Sequence, residues 1–265
     1  MSSVILLPPS EGKAPDGDGP PRGGPSQAFG DLEADRAAVR DAVRTAIAAG
    51  EARAGRLLGA RGPYLARALA EWEELDDAPT LPAFARYRGV VWSALDPSSL
   101  GRPARRRMAA RVLVPSGLWG LVAATDPIPA YRLKMGASVP SIGPLATFWR
   151  PRITPLIDRR ADGGWIIDLL PQEHAAALDA AAIRESRLLR VELVEEGDDR
   201  TRRAAGHAGK HLKGLLARAI LEAGASTPRA VAALEVPGLR SEGVTRAPRG
   251  ATAVFTRLPE PPEAG

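Results

Sequence analysis

The strongest constraint on the fold of this chain is a set of short, largely apolar runs, each closed by turn-forming residues. Val4-Ile5-Leu6-Leu7 stops at Pro8-Pro9, Arg111 to Val114 precedes the turn Ser116 to Gly120, and Trp165 to Leu170 stops at Pro171. Leu188 to Val194 and Ala251 to Leu258 have the same character. Runs of this length, rich in branched aliphatic residues, read as strands buried in a sheet. The segments between them carry apolar residues at helical spacing. The pattern predicts a mixed α/β (α+β) chain, a compact mixed sheet surrounded by helices.

Within Asp31 to Leu75 the helical pattern breaks near Gly50 and at Gly59 to Pro63, which predicts two or three helices joined by tight turns. Further helices are predicted over Ser98 to Ala110, with Arg105, Arg106 and Arg107 facing solvent, and over Gly209 to Ala223, ended by Gly224. Leu145 to Arg160 reads as helical, with a kink or a new start at Pro151 and Pro155. Gly89 to Trp92 fits a strand or a helix start, Ala130 to Met135 an extended segment, and Arg202 to Ala205 a partner of the Leu188 strand. Glycine, proline and charge dominate from Ser10 to Gly30, so about 14–30 is expected to be a mobile loop unless a neighbour holds it. One compact unit over 1–258 with a frayed tail at 259–265 follows, since 265 residues lie within reach of a single core.

Composition narrows the chemistry. Cysteine is absent, which excludes disulfides, zinc–cysteine sites, iron–sulfur clusters and thiol catalysis. Three scattered histidines argue against a metal cage, and no cofactor is expected. No membrane-length apolar stretch or secretory signal is visible, so a soluble, cytoplasmic monomer is expected. The net charge of +5 and pI near 10.0 suit an anionic partner, although an arginine-rich composition alone also produces them.

Five local patterns bear on function. Gly59-Ala60-Arg61-Gly62-Pro63-Tyr64 resembles the turn of a helix–hairpin–helix, in which backbone N–H groups meet a DNA phosphate; a plain helical hairpin is the alternative. On the predicted helix from Gly209, Lys210, Gly214 and Arg218 share a face with His207 and His211, either a phosphate-binding stripe or a solvated face. Gly214 at its middle implies close approach by a ligand or by another backbone. Ser10-Glu11-Gly12-Lys13 follows the first strand: Lys13 is a candidate phosphate grip or nucleophile and Glu11 its partner, against an ordinary polar loop. Ser116 sits at a strand end without the glycine of a nucleophile elbow, which leaves a structural turn or, less simply, a catalytic hydroxyl. Tyr131-Arg132-Leu133-Lys134 alternates so that both cations share a face suited to an anion or to solvent.

Taken in order, LLPPSEGK, SGLWG, DPIPAYRLKMG, the Phe148-Trp149 pair and HAGKHLKGLLAR resemble the YaaA-like peroxide stress protein family over most of the chain. The resemblance rests on Ser10, Ser116, Gly117, Gly120, Tyr131, Arg132, Met135, Gly136, Phe148 and Trp149. It implies a mixed α/β fold with a helix–hairpin–helix, DNA binding, and a role in limiting iron-linked oxidative damage. It also implies an anion-binding cleft that draws on Lys13, Arg132, Lys210 and Lys213. Lys134 stands where the family commonly has glutamate. The resulting expectation is phosphate contact without base reading through Gly62, Tyr64, Lys210, Lys213, Gly214 and Arg218. The alternative is an enzyme acting on a nucleotide, a damaged nucleobase or a small anionic metabolite through Glu11, Lys13 and Ser116.

Overall fold

A computed structural model describes residues 3–21, 28–196, 202–204, 206–248 and 250–259. Its centre is an eight-stranded mixed sheet. The strands are β1 (Ser3–Leu6), β2 (Val112–Ser116), β3 (Gly120–Ala123), β4 (Trp165–Asp168), β5 (Arg187–Glu196), β6 (Arg202–Ala204), β7 (Leu239–Ala247) and β8 (Gly250–Arg257). Their order is β7-β8-β5-β4-β1-β2-β3, with β6 paired to β5 off this path. β1 runs parallel to β2 and β4, and β5 runs parallel to β4 and β8. The hairpins β2–β3 and β7–β8 and the pair β5–β6 are antiparallel. Every residue of β1 and β2 is buried, as the uninterrupted apolar runs require.

Helices clothe this sheet by presenting one apolar stripe each. In α1 (Glu33–Ala48), Val39, Val43 and Ala46 are buried at helical spacing. In α3 (Pro63–Glu73), which follows α2 (Glu51–Leu58), the stripe is Leu65, Ala68 and Trp72. Later come α4 (Val90–Leu95), α5 (Arg102–Arg111), α6 (Leu145–Ala161) and α7 (His207–Ala223). Gly224 ends α7 in the left-handed region at φ 69°, a conformation open to glycine at little steric cost. The apolar core is continuous from Val4 to Phe255.

Several elements depart from the sequence reading. α6 runs through Pro151 and Pro155 as one helix, and side chains reach carbonyls along it: Thr154 Oγ1 donates to Arg150 O and Arg152 to Phe148 O. Ala130 to Met135 joins no sheet, because Pro127 and Pro129 remove donors next to it and Trp72 Nε1 takes the carbonyl of Arg132 at 3.0 Å. Arg105 and Arg106 are exposed, whereas Arg107 is half-buried and donates to Leu221 O and Glu222 O at the end of α7. Two strands escape the periodicity. β3 is short, and β7 is a largely exposed edge strand whose register shifts between Ser241 and Val244.

Neighbouring elements hold the described part of the glycine- and proline-rich stretch. Gly12–Lys13 pairs with Tyr87–Arg88, Ala14 N donates to Arg86 O, and Gly19 exchanges bonds with Thr80. Arg86 itself is fully buried and donates to Ile128 O, Ala14 O, Asp16 O and Pro79 O. Residues 22–27 and 260–265 lie outside the described residues, and so does the expectation of a frayed tail.

Candidate functional site

Because β1 lies between β2 and β4 and all three are parallel, their carboxyl ends share one edge of the sheet. The chain leaves β1 to build β2 on one side and returns later to place β4 on the other. Such a switch point opens a crevice where loops diverge. Three loops start there: Ser10 to Lys13 after β1 and the turn from Ser116 after β2, both singled out from sequence, and Glu173-His174 after β4.

Lys13 is the centre of this cluster. Its side chain turns inward, leaving the residue 9% exposed. Nζ donates to Ser10 O at 2.8 Å and to Glu11 O at 3.4 Å, and lies 4.1 Å from the centre of the Tyr131 ring. Burial pushes its pKa down to about 7, aided by Arg132 and Arg86 and opposed by Glu71 and Glu11. Beneath the ring a hydroxyl chain continues inward: Tyr131 bonds Tyr87 at 3.0 Å and Ser116 Oγ at 2.7 Å. Ser116 Oγ also accepts from Trp119 N at 3.1 Å and is wholly buried. This geometry makes Ser116 a support for the Tyr131 ring and the following turn. The alternative of a catalytic hydroxyl finds no exposed surface.

Glu11 faces outward and is held by two cations, Arg132 at 2.8 Å and Lys134 at 2.8 Å. The expected shared face of Arg132 and Lys134 is therefore present without a strand. Arg132 does more: Nε donates to Leu58 O at 2.9 Å and a terminal nitrogen to Gly59 O at 3.0 Å. One guanidinium thus ties the β1 loop to the turn between α2 and α3.

That turn lines a groove of about 1270 Å³ whose walls include Glu51, Arg56, Arg61, Gly62, Tyr64 and Arg132. Gly62 adopts φ 52° and ψ −134°, a region that favours glycine, and a Cβ there would meet open space. Pro63 begins α3, where its missing N–H costs nothing. Tyr64 is 73% exposed.

The basic stripe on α7 divides. Lys210 and His211 are exposed. Gly214 is buried against α4: a Cβ would lie 2.6 Å from that of Ala94 and would strike Val91 O, so the close approach is by another backbone. Arg218 donates to Leu95 O and Ser99 Oγ and pairs with Glu222, which fastens α7 to the end of α4. Lys213 turns toward the crevice and donates to Leu170 O at 3.1 Å, its pKa lowered by burial against the pull of Asp168. The expectation of one phosphate-facing stripe is corrected accordingly, since helix packing occupies its middle and far end.

The motif residues that carried the resemblance are mostly structural. Gly117 lets its turn pass under the Leu133 and Lys134 carbonyls, where a Cβ would come within 2.9 and 2.8 Å. Trp149 fills the space a Cβ on Gly120 would need, at 2.6 Å, and donates to Gly117 O at 2.8 Å. Phe148 meets Trp149 edge to face at 5.0 Å, and Met135 is fully buried. Gly136 N donates to Glu173 Oε1 at 2.9 Å, and Ser10 Oγ donates to Arg88 O.

Three crevice groups were not among the site candidates read from sequence. Asp168, at the end of β4, is buried; burial raises its pKa, opposed by the Leu170 N–H, Arg190 and Lys213. His174 has its pKa lowered by burial and by Lys213, against Glu173 and Glu11, and its Nδ1 has no hydrogen-bond partner among the described residues. Glu173 is the third. The available signal was the polar loop directly after a buried strand. Among the described residues no cluster of acidic or histidine side chains could hold a metal ion, and no helix is long and apolar enough to cross a membrane.

These features define a mixed α/β protein with a polar crevice at the carboxyl edge of its sheet and an arginine-lined groove beside it. A profile of the family described as peroxide stress protein YaaA matches residues 4–243, and the chain belongs to that family. It is 37% identical over 240 residues to a UPF0246 protein of Streptomyces coelicolor, covering 91% of this chain and 90% of the relative. A UPF0246 protein of Corynebacterium efficiens is 35% identical over 250 residues (91% and 94% covered), and one of Corynebacterium glutamicum 34% over 222 (82% and 84%).

Proposed function

We propose that this protein acts in the cytoplasm in peroxide defence as a DNA-binding protein that contacts phosphates without reading bases, and so limits iron-linked damage at the DNA it covers. The observation that carries this reading is the groove over the α2–α3 turn. Arg56, Arg61 and Arg132 line it, Gly62 opens toward it, and the start of α3 faces it with an exposed Tyr64. A helix start beside clustered guanidinium groups favours phosphate through its N–H groups, its dipole and charge-assisted bonds. Tyr64 offers a ring against a sugar or an unstacked base. Lys210, exposed on α7, adds a cation to this reading, whereas Gly214 and Arg218 contribute by placing α7.

Fluorescence anisotropy with duplex, bulged and single-stranded DNA across a salt series tests it. Affinity is expected to fall linearly on a log–log plot against salt, and Arg61→Glu to weaken every sequence alike, roughly tenfold near 0.1 M salt. Binding that ignores salt, or an Arg61→Glu variant that binds as well as the parent, would sink the proposal. A second reading, an enzyme acting on a nucleotide or another small anion, is favoured by the meeting of Glu11, Lys13 and Arg132 in one crevice. Binding of mononucleotides that competes with DNA would support it.

A further inference from the structure

Only four of the 36 basic residues are lysines: Lys13, Lys134, Lys210 and Lys213. In a chain that uses arginine almost everywhere, lysine stands out where a point charge or a titratable amine is required. Three of the four gather at the carboxyl edge of the sheet. Lys134 holds Glu11, Lys213 faces Asp168 and Leu170 O, and Lys13 lies between the β1 loop and Tyr131.

Lys13 differs from the other two in its surroundings. The Glu11 carboxylate, which could have neutralised it, is engaged through one oxygen by Arg132 and through the other by Lys134. What Nζ meets instead are two carbonyl oxygens and a ring face. Two N–H donors are directed at those carbonyls; Glu71 and Glu11 favour the ammonium, Arg132 and Arg86 oppose it, and burial outweighs the carboxylates. Enclosure away from water is what favours an unprotonated, nucleophilic amine near neutral pH. Arg132 also lines the groove, so the amine sits one side chain away from the surface assigned to DNA.

We propose that Lys13 forms a Schiff base with an aldehyde carried on DNA, the substrate class being the ring-opened deoxyribose of an abasic site. This inference rests on the DNA-binding reading and deepens it. The neutral amine attacks the aldehyde carbon and forms a C–N bond while the carbonyl oxygen takes up a proton. The resulting carbinolamine loses its hydroxyl and the nitrogen proton as one water, which leaves the imine. No oxidant, reductant or metal enters the balance. An abasic site also lacks the base that would otherwise fill the space above the sugar, and Tyr64 at the groove can stack in its place.

The test uses the full chain, a fluorescent duplex with a single abasic site, and sodium cyanoborohydride, which reduces the imine to a stable amine. The expected result is a covalent protein–DNA adduct, seen on a denaturing gel and absent with the intact duplex. Peptide mass mapping of the unmutated protein should place the adduct on Lys13, a readout that needs no variant to fold. In Lys13→Arg, which keeps a positive charge but has no primary amine, the adduct should fall at least tenfold while anisotropy still detects binding. If the abasic duplex binds but yields no adduct, or yields one spread over Lys134, Lys210, Lys213 and the chain's terminal amine, the Schiff base is overturned and DNA binding stands. If the duplex does not bind at all, both fall together.

Discussion

The crevice at the end of β1 and the groove over the α2–α3 turn are neighbours built on opposite physical terms. In the crevice, charge is enclosed: Lys13 and Asp168 are buried and His174 is half-buried, and each has a pKa displaced primarily by burial. In the groove, charge is exposed: Arg61 and Tyr64 face solvent, and Gly62 meets open space. Enclosed groups can be tuned, because low dielectric magnifies each neighbour. Exposed arginines cannot be tuned, but they can follow a phosphate backbone at little cost. A protein needing both a prepared amine and a forgiving polyanion surface has reason to keep them apart.

The sharpest way to break this comparison is to remove the enclosed charge. Below pH 7 the folded state must carry the Lys13 ammonium in a desolvated site, whereas the unfolded chain holds it in water. Between about 7 and 10.5 the folded lysine has lost its proton and the unfolded one has not, so wild-type stability rises with pH across that window. Lys13→Met should therefore gain stability over wild type by up to roughly 4 kcal/mol at pH 6, with the gain shrinking toward pH 10. Urea unfolding at a series of pH values checks this, and a difference that does not change with pH would mean the amine is not enclosed.

A smaller effect is expected inside the hydroxyl chain. Ser116→Ala leaves Trp119 N without its acceptor and removes a partner of Tyr131, which should cost about 1–3 kcal/mol in denaturant unfolding and leave DNA affinity unchanged. Arg132→Ala should cost about 1–2 kcal/mol by freeing the carbonyls of Leu58 and Gly59, with faster amide exchange at Ala60, whose N–H bonds Gly55 O in the same turn. Smallest in stability is Tyr64→Ala, within about 0.5 kcal/mol of wild type by melting, because its ring is exposed. Its DNA affinity should nonetheless fall several-fold.

The same contrast decides what could be read from sequence. Strands buried on both sides announced themselves, as Val4 to Leu7 and Trp165 to Leu170 did, because burial on two faces demands apolar residues without interruption. The edge strand Leu239–Ala247 did not, since most of its residues are exposed or half-buried and few positions are constrained. Lys13, Glu11 and Arg132 could be picked out as a loop motif and an alternating pair, but their meeting depends on β1 lying between β2 and β4. Local pattern cannot express that. Gly214 shows the converse case: the sequence indicated a close approach, and only the packing of α7 on α4 says by what. Arg218 likewise looked like surface charge until its partner helix was in place.

The grip of Arg132 on both Glu11 and the Gly59 carbonyl gives the molecule a ruler. The distance from the amine's loop to the turn that faces the groove is set by one rigid planar group, not by the long stretch of chain between them. Length changes in α1 or in the glycine-rich stretch after Lys13 can then accumulate without altering that spacing. Lysine at 132 would keep the charge and lose the measure, because a single ammonium on a flexible stem lacks the planar fork whose Nε holds Leu58 O while a terminal nitrogen meets Glu11 and Gly59 O.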